Sequence, residues 1–116
     1  NLTLGVISSH GWSVSVDDAL DLGKPAGTAG HMTEFDGSSY NLSGRMLSSP
    51  VQLKDVNATV YITLSGVQQH YLSGVATPVQ GTIHPIVVKQ DIEYEDLRLS
   101  PPSVYQIIVT FIGTTL

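Results

Sequence analysis

Apolar and polar residues alternate along much of this chain with a period of two. Leu2, Leu4 and Val6 alternate with Thr3 and Gly5, and Trp12, Val14 and Val16 alternate with Ser13, Ser15 and Asp17. Val60, Ile62 and Leu64 alternate with Tyr61 and Thr63. Tyr105, Ile107, Val109 and Phe111 alternate with Gln106, Ile108 and Thr110. Successive side chains of a strand point to opposite faces, so this pattern, carried by β-branched and aromatic residues, predicts half-buried strands. A helix needs apolar residues at i, i+3, i+4 and i+7 over about eleven positions or more. The best such window, Val16 to Gly23, covers one or two turns and stops at Gly23 and Pro25.

Turn-forming residues separate the alternating runs. Asp36-Gly37, between Met32–Phe35 and Tyr40–Leu42, predicts a hairpin, because glycine takes a positive φ at little cost. Further breaks fall at Gly23–Gly30, Ser48-Ser49-Pro50, Gly66, Gly74–Pro78 and Ser100-Pro101-Pro102. Such spacing predicts one all-β domain: an antiparallel β-sandwich, jelly-roll or Ig-like, of about seven to nine short strands. Residues 1–10 form an N-terminal strand and residues 11–116 the sandwich. In the last strand Tyr105, Ile107, Val109 and Phe111 are predicted to face inward. Ile108 and Ile112 then lie on the other face and seek a partner.

The length of 116 residues fits a single core. Only 13% of residues are charged, against a typical ~25%. Ser and Thr, 23 of the 116, carry much of the surface polarity instead. A net charge of −5 with five basic residues gives no footprint for nucleic acid or an anionic membrane surface. No apolar run approaches the ~20 residues that span a bilayer. With no cysteine there is no zinc finger, disulfide framework or thiol nucleophile. The first residue is Asn and no leader is visible, so the expectation is that any signal peptide has been removed.

Catalytic motifs are missing: no G-x-S-x-G elbow, H-E-x-x-H pair, phosphate-binding lysine loop or G-x-G-x-x-G. His10, His31, His70 and His84 are scattered singly and read as surface or structural residues. Carboxylates cluster at Asp17, Asp18 and Asp21 and again at Asp91, Glu93, Glu95 and Asp96, without the spacing of a D-x-D-x-D-G calcium loop. On a strand Asp91, Glu93 and Glu95 would share one solvated face; a cation site is the alternative. The expectation is a non-enzyme without catalytic residue, cofactor or metal.

The asparagines are more informative. There are three, and each opens an N-x-[ST] sequon: Asn1-Leu2-Thr3, Asn41-Leu42-Ser43 and Asn57-Ala58-Thr59. Random placement of Ser and Thr would match all three with a chance of roughly 1%, which favours N-glycosylation at Asn41, Asn57 and Asn1 and an extracellular or cell-surface location. The first strand is informative too. Leu2, Leu4 and Val6 are evenly spaced anchors, and Gly5 among them favours close approach by another backbone. Such a strand can fill the open edge of a neighbouring subunit.

The N-terminal strand, Trp12-Ser13-Val14-Ser15-Val16 leading into Leu20-Asp21-Leu22-Gly23, the Gly-rich loop and the closing Val104-Tyr105-Gln106-Ile107-Ile108-Val109-Thr110 resemble secreted β-sandwich fibre subunits. The nearest groups are archaeal thread and bundling-pilus proteins and the TasA/camelysin-like fibre formers. The resemblance implies a pilin polymerised with copies of itself by donor-strand complementation. Leu2, Leu4, Gly5, Val6, Ile108 and Ile112 would then form the subunit interface. A viral or phage capsid, decoration or tail component is one alternative. A carbohydrate-binding module with Trp12 and tyrosines as stacking platforms is another, although Trp12 alternates with Val14 and Val16 and so reads as core.

Overall fold

The computed structural model describes residues 2–116. All nine strands are antiparallel and no helix occurs among the described residues, so the fold is all-β. In chain order the strands are β1 (Leu2–Val6), β2 (Trp12–Asp17), β3 (Thr33–Phe35), β4 (Gln52–Asp55) and β5 (Ile62–Thr63). They continue with β6 (Gln69–Gly74), β7 (Thr82–Lys89), β8 (Val104–Gln106) and β9 (Thr110–Thr115). They form a four-stranded sheet β1-β7-β4-β5, a three-stranded sheet β6-β2-β9 and a two-stranded sheet β3-β8.

One apolar cluster joins the two larger sheets. Trp12, Val14 and Val16 of β2 and Tyr71 of β6 meet Leu53 of β4, with Val51 and Leu64 beside them. The alternation of β2 holds through Val16, with its three apolar residues buried and the intervening serines only half so, and breaks at Asp17, which is buried as well. Tyr71 reaches the core through a bulge. Val14 pairs with Leu72 and Ser15 with His70, which leaves Tyr71 as the extra residue, turned inward and stacked edge-on against Phe111 at 5.3 Å. Trp12 packs over Gly74, where a Cβ would come within 2.6 Å of the indole, and its Nε1 donates to the Val75 carbonyl at 2.9 Å.

The predicted hairpin forms. Asp36 Oδ1 accepts from the amides of Ser38 and Ser39, Gly37 has φ +103°, and Phe35 bridges to Tyr40. The second arm is that bridge rather than a strand. Two further expectations are corrected. Only Ile62–Thr63 of the Val60–Leu64 run is strand; Val60 is exposed while Leu64 is buried. The closing run is divided, with β8 pairing β3, β9 pairing β2 and Ile107–Val109 crossing between them. Ile107, Val109 and Phe111 still pack on the core as predicted, whereas Tyr105, carried on β8, does not join it and donates its hydroxyl to Leu97 O.

Candidate functional site

β1 is an outer strand with one neighbour. Leu2, Thr3, Leu4, Gly5 and Val6 pair with Ile86, Pro85, His84, Ile83 and Thr82 of β7 in the same chain. Pro85 O accepts from Val56 N on the β4 side, so Pro85 presents no donor group toward β1, and its missing N–H falls past the last β4 pair, Asp55 with Ile86. Leu4 and Val6 pack on the core cluster, but Leu2 is 60% exposed, so two of the three expected anchors engage. Gly5 also departs from expectation: a Cβ there would meet nothing within 4 Å, so no segment of this chain requires glycine at that position. The strand expected to lie on a neighbouring subunit lies on its own sheet in the single chain. Ser8 N donates to Thr77 Oγ1 at 3.0 Å and Thr77 N donates to Ser8 O at 2.8 Å, which fixes the turn back toward β2.

β1 and β9 flank the same side of the core. Between them opens a groove of about 280 Å³, lined by Leu4 and Val6 on one wall and Trp12, Val14, Phe111 and Gly113 on the other. Neither strand carries a charge or a proline, the devices that commonly guard a free edge. Ile112 is half-buried, paired with Ser15 on the outer face of its sheet. Ile108, the other expected contact, is 51% exposed at the opposite end of the sheet, in a different cleft.

The chain leaves much apolar surface uncovered. Eighteen large hydrophobic residues are exposed among the described residues, against nine that are buried. The accessible surface is 7164 Å², whereas a monomer of this mass averages about 6,100 Å². The radius of gyration is 16.0 Å, against about 13 Å for a compact domain of this length.

The first acidic cluster is a buried knot rather than a solvated face or a cation cradle. Asp18 Oδ2 accepts from Gly30 N at 2.6 Å and from Lys24 Nζ at 3.1 Å, and Lys24 also donates to His31 O at 2.6 Å. Asp21 accepts from the Tyr40 hydroxyl at 2.6 Å and from Ile108 N at 2.7 Å. Burial, followed by the hydrogen bond to Asp21, pushes the Tyr40 hydroxyl up to about 12. Asp17 caps its own turn by accepting from Ala19 N. The second acidic run is not a strand. It is an exposed loop in which Asp96 accepts from Ser48 Oγ and from the amides of Ser48 and Glu93, bonds that hold its carboxyl below the usual carboxylate range.

The histidines stay apart. His31 Nδ1 meets Leu47 O at 2.8 Å, His70 meets Ser13 Oγ at 3.3 Å, and His10 meets Ser9 Oγ at 3.0 Å. His84 meets Thr82 Oγ1 and stacks on Trp12 at 5.4 Å. No group of three or more possible metal ligands occurs among the described residues. Trp12 is 5% exposed and offers no stacking platform to a sugar.

Two sequons lie at surface turns. Asn41 and Asn57 are exposed; Asn41 Oδ1 accepts from Ser43 N, and Asn57 N is held by Asp55 Oδ2. Asn1 lies outside the described residues.

Comparison of the chain with protein-family models, curated proteins and solved structures finds no match.

Proposed function

We propose that the chain is a structural subunit of an extracellular, N-glycosylated filament, without catalytic activity, whose copies are joined by exchange of β1. The observation that carries this reading is β1 itself: an uncharged edge strand, bonded to one neighbour, with only Leu4 and Val6 seated on the core. The contacts that β1 makes with its own β7 are available unchanged to the β1 of another copy, which makes exchange a low-cost route to association. The surplus of exposed apolar residues supports an assembled state over a free one. The exposed sequons at Asn41 and Asn57, in a chain with few charges, support glycosylation outside the cell.

A cysteine pair tests the exchange, in a chain that has no cysteine of its own. Gly5 and Ile83 face each other across β1 and β7, and Ile83 is 73% exposed. Directly opposed residues of this kind have Cα atoms roughly 4.5–5.5 Å apart, within disulfide reach. The Gly5→Cys, Ile83→Cys double variant, oxidised in assembled material, gives a ladder of covalent oligomers if β1 is exchanged. A single monomer band contradicts exchange.

A further inference from the structure

We propose that the outer face of the four-stranded sheet carries a binding site for a sugar acid, built from Lys54, Lys89, Tyr61, Gln52 and Thr63. Leu53 and Ile62 pack toward the core, so their neighbours Gln52, Lys54, Tyr61 and Thr63 point the other way. Register sets Lys89 opposite Gln52 and Gln52 opposite Thr63, a row of three polar side chains across β7, β4 and β5. β1 pairs with β7 only as far as Ile86, so the site is the same in a free chain and in one whose β1 is exchanged.

The two lysines carry the argument. Of the five basic residues, Lys24 is paired with Asp18 and Arg45 faces Glu34. Lys54 and Lys89 form no ion pair among the described residues, although the chain has ten carboxylates. Both turn instead to one ring: Lys54 Nζ lies 5.1 Å and Lys89 Nζ 5.4 Å from the centre of Tyr61. Attraction to the ring holds each ammonium in place. It also keeps two like charges within about a Debye length of each other, and an anion between them relieves that repulsion. Lys54 Nζ donates one of its three protons to Ala58 O at 3.1 Å and keeps two for a ligand.

The groups around the charges define the ligand. A chain of net charge −5 repels a polyanion as a whole, so the fitting ligand carries a single carboxylate rather than a run of phosphates or sulfates. Beside the ammoniums stand an amide and a hydroxyl. Gln52 Nε2 donates to Thr63 Oγ1 at 3.4 Å, which leaves the Thr63 proton and the Gln52 carbonyl oxygen for hydroxyl groups of a ligand. One carboxylate set among hydroxyls is the chemistry of a sugar acid, such as a uronate at the end of a glycan. Its carboxylate would lie between Lys54 and Lys89 and its hydroxyls along Gln52 and Thr63.

The test is saturation-transfer NMR on glucuronate, glucose and acetate at low salt, a readout that serves free and assembled chains alike. Every protein carries Asn57→Gln, so that a glycan on the neighbouring turn neither blocks nor mimics the ligand. Glucuronate should bind more tightly than glucose, which lacks the charge, and than acetate, which lacks the hydroxyls. Lys54→Gln and Lys89→Gln should each weaken glucuronate about two- to fivefold, the range of an exposed charge pair, and the double variant should bind it no better than glucose. Arg98→Gln, which removes an exposed cation outside the site, should leave binding unchanged. The proposal is overturned if glucuronate does not bind or if acetate binds as tightly, which would mark a site for any carboxylate. It is equally overturned if Arg98→Gln weakens binding as much as the lysine variants do, because overall charge would then be responsible.

Discussion

Removing the charge of Asp18 should destabilise the fold far more than its place in an acidic run would suggest. The Asp18 side chain is 2% exposed, that of Lys24 is 7%, and the two meet at 3.1 Å. In Asp18→Asn the amide oxygen can still accept from Gly30 N, but Lys24 is left as a buried cation with only the His31 carbonyl opposite it. Breaking a buried pair in this way costs about 3–5 kcal/mol. With a urea slope of about 1–3 kcal/mol per molar, the unfolding midpoint should fall by about 1 M or more at unchanged slope. Fluorescence of the single, buried Trp12 follows the transition. Adding Lys24→Met to the variant removes the stranded charge and should restore most of the loss. A change below about 0.5 kcal/mol would refute the account of the knot, since that is the range of ordinary surface substitutions. So would a wild type that loses the same stability on chelation, because a cation and not Lys24 would then be holding the carboxylates.

Burial raises both Tyr40 and Tyr71 to about 12, from an ordinary value near 10. A raised folded pKa leaves stability intact below the unfolded value, so stability should decline between about pH 10 and 12; a titration showing unfolding well below pH 10 would contradict it. Gly74→Ala places a methyl group against the Trp12 indole and should cost about 1–3 kcal/mol, read as a lower urea midpoint. Val109→Ala should cost about 1–3 kcal/mol through lost core contact, and a neutral result would mean that Val109 does not pack inward. Enzymatic deglycosylation of native material should lower its intact mass by two or more glycans, with Asn41→Gln and Asn57→Gln each removing one.

The parts of the fold legible in the sequence are those where one face is uniformly apolar. β2 shows this best, with Trp12, Val14 and Val16 all buried. β7 is obscured by Pro85 in mid-strand, which is tolerated only because β4 turns away at Val56, a long-range circumstance. β6 is obscured by the bulge that turns Tyr71 inward and interrupts the period of two. The fate of the carboxylates was equally hidden. Asp18 meets Gly30, and Asp21 meets Tyr40 and Ile108, partners 12, 19 and 87 residues away that no local pattern announces. The anchors Leu4 and Val6 could be read from the alternation of β1, whereas its pairing with β7 in the same chain depends on Thr77 anchoring Ser8.

Electron microscopy of the native material would show at first hand whether copies exchange β1. If the chain is a filament subunit joined by exchange of β1, the images show long, uniform filaments. In a density map of those filaments β1 would lie on a different copy from the β7 it pairs with. Isolated particles of monomer size, with β1 on its own sheet, would contradict the account.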